Sequence, residues 1–172
     1  MDIQLRIADR TWPVLTKVMG GHARVYRMTG GRIGHRFPGV PPMCLIDHVG
    51  AKSGKKRTSP LLYIEDGENV VIVASKGGYE KSPAWFYNLR ANPDTTVQIG
   101  SEIRPVKARV ASQEERERLW PKAVDVYPSY QQYQDRTTRE IPLVILELWN
   151  VTRMTNWRHL VTKCRRANRL VG

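Results

Sequence analysis

Between positions 43 and 147 the apolar residues come in short runs, and polar or glycine-rich turns separate them. Met43–Val49 (MCLIDHV), Ser59–Glu65 (SPLLYIE) and Asn69–Ser75 (NVVIVAS) have the length and β-branched content of strands. Asp66-Gly67 joins the last two as a hairpin turn. Thr95–Ile99 and Ile103–Val110 flank Gly100-Ser101 as a second hairpin, and Pro105 places its second strand at an edge or a bulge. Ile141–Glu147 is a last core strand.

Other stretches have helical punctuation. Thr11 and Pro13 open a helix with Trp12, Leu15 and Met19 on one face, after which the pairs Gly20-Gly21 and Gly30-Gly31 break the chain. Lys81–Pro93 reads as a helix capped by Ser82, begun by Pro83 and stopped by Pro93. Ser112 and Glu115 form a capping box ahead of another, which Pro121 should end or kink near Trp120. Pro128 starts a short helix to about Thr137. Some six strands with helices inserted between them predict an α+β arrangement, one sheet closing into a small barrel. Strict β-α-β alternation is absent, so a doubly wound sheet is not expected.

A chain of 172 residues, 41% hydrophobic, suits one domain with its own core. The two cysteines, Cys44 and Cys164, lie far apart, and Cys44 sits in an apolar run. A buried free thiol and a reducing, cytoplasmic setting follow. No signal-like apolar centre opens the chain, and no apolar run approaches the roughly 18 residues of a membrane span. The net charge of +12 calls for an anionic partner: nucleic acid, a membrane face or an acidic small ligand.

Much of that charge is concentrated. Gly50–Arg57 (GAKSGKKR) carries Lys52, Lys55, Lys56 and Arg57 between two predicted strands. Glycine-freed N–H groups and four cations on one turn suit a phosphate or carboxylate. A solvated hairpin tip is the other use. The spacing is not that of a P-loop, because three residues separate the glycines and a strand follows. A tight turn favours one compact polyanion over a duplex, and no nucleic-acid-binding signature is present. Ser75 and Lys76, at a strand end ahead of a helix, can meet a ligand or form an ordinary connection. Tyr127, Tyr130 and Tyr133 recur every third residue and spread over about 120° of a helix at about 3.6 residues per turn. They form either aromatic packing or a pocket wall with proton-donating tips. The four histidines are scattered, and no metal-ligand or hydrolase motif appears, so no metal is expected.

Five segments in order resemble one family: GAKSG with RTSPL (50–54 and 57–61), VASKGG (73–78), PAWFYNLRANP (83–93), YPSYQQYQ (127–134) and IPLVI (141–145). Together they are similar to the actinobacterial deazaflavin-dependent nitroreductases, over about Ala23 to Glu147. The resemblance implies a split β-barrel related to the FMN-binding, pyridoxamine-oxidase-like barrels. It divides the single domain into an N-terminal helix (1–22), the barrel (23–147) and a basic C-terminal extension (148–172). It also implies coenzyme F-420, an 8-hydroxy-5-deazaflavin with a phosphate and an acidic tail, with FMN as second choice. Lys52, Lys55, Lys56 and Arg57 would hold the phosphate and carboxylates. Ser59, Pro60, Ser75, Lys76, Gly77, Trp85 and Asn88 match positions that line the coenzyme, and Ser59 stands where some members carry Asn. The implied reaction passes hydride to a small-molecule acceptor: a quinone, an activated enone or lactone, or a nitroaromatic. Ser75 and Tyr133 would stabilise the anion formed, and Tyr127 and Tyr130 would close the pocket.

Asp135-Arg136 departs from the Ser-Trp of a familiar nitroreductase, which bears on nitroimidazole substrates. Trp149–Arg166 extends beyond most members, with Met154, Trp157, Val161 and Cys164 at helical spacing among basic residues. It reads either as a terminal helix packed on the barrel or as peripheral contact with the inner membrane face. The alternative overall reading is a basic nucleic-acid-binding or membrane-surface module without catalysis. The oligomeric state is not legible.

Overall fold

The computed structural model describes residues 20–149. The expected helix at Thr11–Met19 and residues 150–172 of the basic C-terminal extension lie outside them; Leu148, expected to open that extension, ends the last strand. Within them, residues 20–28 are helical and form α1. Six strands follow: β1 Met43–Val49, β2 Lys56–Asp66, β3 Asn69–Val73, β4 Asp94–Ile99, β5 Glu102–Val110 and β6 Leu143–Leu148. Between them run α2 Ala84–Ala91, α3 Gln113–Val126 and α4 Ser129–Asp135. All neighbouring strands are antiparallel, and the order β1-β2-β3-β6-β5-β4 closes where β4 meets β1.

The apolar runs are continuous because both faces of several strands are covered. Val70 and Ile72 of β3 and Val144 and Leu146 of β6 point into a cluster that draws residues from all six strands, the barrel interior. Trp85, Phe86 and Leu89 of α2 join that cluster. Their alternates Val71, Val73, Leu143 and Ile145 pack outward against Leu119 and Ala123 of α3 and Tyr130 of α4. Each such side chain contributes roughly 1.5–3 kcal/mol by leaving water. Tyr26 of α1 is fully buried with Ala23 and Leu45. Its hydroxyl donates to the Met43 carbonyl at 2.9 Å and accepts from the Gly100 N–H, tying α1 to β1 and to the β4–β5 turn.

Several expectations are corrected. Gly20 and Gly21 do not break the chain but lie in α1, whereas Gly30 and Gly31 do turn, with φ of 58° and 78°. Ser82 does not cap α2: Pro83 is its N-cap residue and no side-chain cap bond forms. Pro121 does not end α3. The helix passes through it to Val126, because buried Leu119 and Ala123 on either side anchor both turns. Pro105 sits at no edge, since the barrel is closed. It pairs with Thr96 on one side, while the ladder to β6 begins one residue later at Val106. The capping box of Ser112 and Glu115 forms as expected.

Candidate active site

The β1–β2 hairpin, the connection after β3, the start of α2 and the α3–α4 corner converge on one cleft of about 600 Å³. Arg57, Ser59, Pro60, Ser75, Lys76, Gly77, Trp85, Tyr127, Tyr130 and Tyr133 all line it. Ten of the expected residues therefore meet across four parts of the chain. Lys52, Lys55 and Lys56 are exposed on the hairpin and are not among the lining residues. Lys56 and Arg57 belong to β2, which starts earlier than its apolar run indicates. Among the described residues, none of these four cations is paired with a carboxylate.

Asn88 does not line the cleft. It is buried on α2, where its Oδ1 accepts from the Ala51 N–H at 2.9 Å and its Nδ2 meets His48 Nδ1 at 3.0 Å. It thus ties the basic hairpin to the helix that carries Trp85. His48 is buried and does line the cleft, and its Nε2 lies 3.0 Å from Ser59 Oγ. Burial and the Arg57 charge push its pKa below the ordinary histidine value, and Asp47 only partly opposes them. His48 is neutral at neutral pH. The sequence offered one signal for it, a polar Asp47-His48 pair inside an apolar strand.

The connection after β3 is a short 3-10 turn, Lys76–Gly78, entered from Ser75. Lys76, Gly77 and Gly78 have φ of 47°, 66° and 81°, and Lys76 is the one non-glycine residue with positive φ among those described. That conformation costs a lysine roughly 1–3 kcal/mol and persists only where its surroundings impose it. Arg139 supplies part of the constraint. Its guanidinium donates to the carbonyls of Tyr79 at 2.7 Å, Ala74 at 3.1 Å and Ser75 at 2.9 Å. Burial pushes the Arg139 pKa down, and among the described residues no carboxylate forms an ion pair with it.

The three tyrosines form one cluster. Tyr127 ends α3, Tyr130 and Tyr133 lie on α4, and their ring centroids are 5.1, 6.3 and 6.4 Å apart. Tyr130 is nearly buried, and burial drives its phenol well above the usual range. Burial and the neighbouring Tyr127 hydroxyl push Tyr133 up to about 12, against a smaller opposing effect of Arg136. Both stay protonated at neutral pH as hydrogen-bond donors. The Arg136 guanidinium lies over the Tyr133 ring at 6.0 Å. Among the described residues no three His, Cys, Asp or Glu side chains gather as a metal site.

The donor set fits a flat, anionic molecule. Trp85, Pro60 and the tyrosines offer apolar and aromatic surface, and Arg57, Lys76, Ser59 and Ser75 offer cations and hydroxyls beside it. The family described as F420H(2)-dependent quinone reductase matches residues 18–148. An F420H(2)-dependent quinone reductase of Mycobacterium tuberculosis is 44% identical over 128 residues, which cover 73% of this chain and 86% of that protein. A solved F420-H2 dependent reductase is 47% identical, with a TM-score of 0.58 over 62% of this chain and 94% of its own. A second structure, described as a domain-swapped dimer, is 40% identical, with a TM-score of 0.60 over 77% of this chain and 98% of its own.

Proposed function

The chain belongs to the F420H(2)-dependent quinone reductase family, and we propose that its cleft holds coenzyme F-420 and presents a quinone to it for reduction. It is a reductase with a split-barrel fold, and its cofactor is the deazaflavin. The observation that carries the site assignment is the meeting of Arg57, Lys76, Trp85 and three tyrosines in one cleft.

When bound, the reduced coenzyme supplies a hydride. The protein's part is positioning and electrostatics. Arg57 would hold the coenzyme's phosphate, with Lys52, Lys55 and Lys56 on the hairpin attracting its acidic tail. Trp85 and Pro60 would offer apolar surface to the flat ring, and Ser75, Lys76 and Gly77 would supply polar contacts to it. Tyr127, Tyr130 and Tyr133 bound the space left for the acceptor. The Tyr133 hydroxyl and Ser75, both on the cleft wall, would donate to the acceptor oxygen on which charge develops. Activated enones, lactones and nitroaromatics present the same demand, an electron-poor acceptor beside a hydrogen-bond donor.

Titration of the protein with oxidised F-420, followed by coenzyme fluorescence, tests the reading. Saturation in the micromolar range is expected. Absence of saturable binding at tens of micromolar would overturn it.

One observation favours contact with a membrane surface as well. Val25, Met28, Ile33, Phe37 and Val40 are exposed within one segment that also carries Arg24, Arg32 and Arg36. Exposed apolar residues among cations suit an anionic bilayer, where lipophilic quinones dissolve. Flotation with anionic against neutral vesicles distinguishes this from a surface that avoids lipid.

A further inference from the structure

The polarity of the hydrogen bonds around His48 is fixed from one end. The chain of contacts runs from the Ala51 N–H to Asn88 Oδ1 at 2.9 Å, from Asn88 Nδ2 to His48 Nδ1 at 3.0 Å, and from His48 Nε2 to Ser59 Oγ at 3.0 Å. A backbone N–H can only donate, so the Asn88 oxygen must face Ala51. The Asn88 amide nitrogen then faces His48 and donates, which makes His48 Nδ1 an acceptor. A neutral imidazole with an accepting Nδ1 carries its proton on Nε2. That N–H points at Ser59, so Ser59 Oγ accepts. The reverse order would set the Ala51 N–H against the Asn88 amide N–H.

The consequence falls at the end of the chain. Ser59 lines the cleft, and its hydroxyl hydrogen has no acceptor among the described residues. His48 and Ser59 lie on the same face of the β1–β2 pair, because Ile46 is registered with Ser59 and His48 with Arg57. The hydroxyl is therefore held beside the guanidinium assigned to the coenzyme.

We infer that the Ser59 hydroxyl is a committed donor to an acceptor oxygen of the bound coenzyme, and that His48 is the positioning residue that commits it. The inference rests on the F-420 reading of the cleft and adds a direction to it. A ligand oxygen is favoured at this point, since the hydroxyl hydrogen is the group left without an acceptor among the described residues, while one of the two oxygen lone pairs is already engaged by His48. The device also links the cleft to the basic hairpin, because the same relay starts at the Ala51 amide.

Two measurements test it. In the free protein, nitrogen NMR of the histidine rings should show His48 as the Nε2–H tautomer; protonation on Nδ1 at neutral pH would overturn the inference. In fluorescence titration with oxidised F-420, Ser59→Ala should weaken binding about three- to tenfold, the range for one net hydrogen bond. His48→Phe should weaken it similarly, and the double variant no further than either alone. Additive losses would mean that His48 acts independently of Ser59, and undiminished binding by Ser59→Ala would remove the donor; either result overturns the proposal. Should His48→Phe not fold, the tautomer and Ser59→Ala remain decisive. If the unaltered protein takes up no coenzyme, the functional reading fails and this inference with it. If it does and Ser59→Ala binds equally, only this inference fails.

Discussion

Gly78 meets Tyr133 through backbone alone: a Cβ at Gly78 would fall 2.6 Å from the Tyr133 carbonyl oxygen. The turn proposed to grip the coenzyme and the helix proposed to face the acceptor therefore abut with no side chain between them. Gly78→Ala must both strain a φ of +81° and push α4 away. A stability loss of roughly 1–3 kcal/mol is expected, together with weaker coenzyme binding. Gly67→Ala is the control. It has positive φ but open space around it, and costs about 1–2 kcal/mol without touching binding. Thermal unfolding and coenzyme titration of both variants check the contrast.

Tyr133→Phe removes one hydroxyl from the acceptor side of the cleft. Coenzyme affinity should change less than twofold. Turnover with a soluble quinone should fall about 10²-fold or more, the usual scale for a lost proton or hydrogen-bond donor in a transition state. The raised pKa of about 12 adds a pH signature. Loss of the proton from Tyr133 should not limit turnover anywhere below about pH 10. A descending limb between pH 7 and 9 that disappears in Tyr133→Phe would contradict that assignment.

Joint replacement of Lys52, Lys55 and Arg57 by Gln should abolish measurable coenzyme binding and leave the melting temperature within a few degrees. All three are exposed and form no ion pair among the described residues, so the barrel does not depend on them. Arg57→Gln alone should cost more than Lys52→Gln alone, because Arg57 lines the cleft and Lys52 does not. Affinity of the unaltered protein should also decline with salt, more steeply than that of Lys52→Gln alone.

The barrel was readable because six apolar runs of strand length were separated by turns, and each run became a strand. What local signals missed was decided at a distance. The helix signal lost at Pro121 was restored by Leu119 and Ala123, both fully buried against the barrel. The start of β2 at Lys56 was hidden under the basic cluster, whose backbone pairs with Val49 whatever its side chains carry. Most of the candidate site was legible through ordered motifs, and three tyrosines at fixed spacing did cluster. His48 showed only as part of a polar pair inside an apolar strand, and Arg139 not at all. The partners that give them meaning lie 11 and 40 residues away for His48, and 60 to 65 residues away for Arg139. Asn88 was read as lining the coenzyme, but it holds the hairpin and is not among the residues that line the cleft.

Acid stability should report on Glu115. Two Arg109 nitrogens at 2.6 and 2.7 Å, and the Ser112 N–H, hold its carboxyl at about 2 instead of 4.5. A depressed folded-state pKa gives stability that is present above the unfolded value and lost as pH falls toward the folded one. Arg109 is 39% exposed, so solvent screening limits the gain to about 1 kcal/mol. Glu115→Gln should melt about 2–4 °C lower at pH 7. The gap should narrow between pH 5 and pH 3. A gap that holds constant through that window would show that the carboxylate's charge is not what stabilises this corner.

Arg139→Lys keeps the charge and loses the geometry. A guanidinium reaches three carbonyls from two nitrogens, whereas one ammonium on a flexible stem cannot span Ala74, Ser75 and Tyr79 together. The left-handed Lys76 conformation would then lose part of what imposes it, and the turn should relax toward ordinary φ. Stability should drop by about 1–3 kcal/mol as buried carbonyls lose their donors. Coenzyme affinity should fall about tenfold, and the amides of Gly77 and Gly78 should exchange faster with solvent hydrogen. The split between these readouts is informative. Lower stability with unchanged affinity and unchanged exchange at Gly77 would mean that Arg139 merely fills the space behind the turn. Loss of all three together would mean that the guanidinium shapes the grip itself.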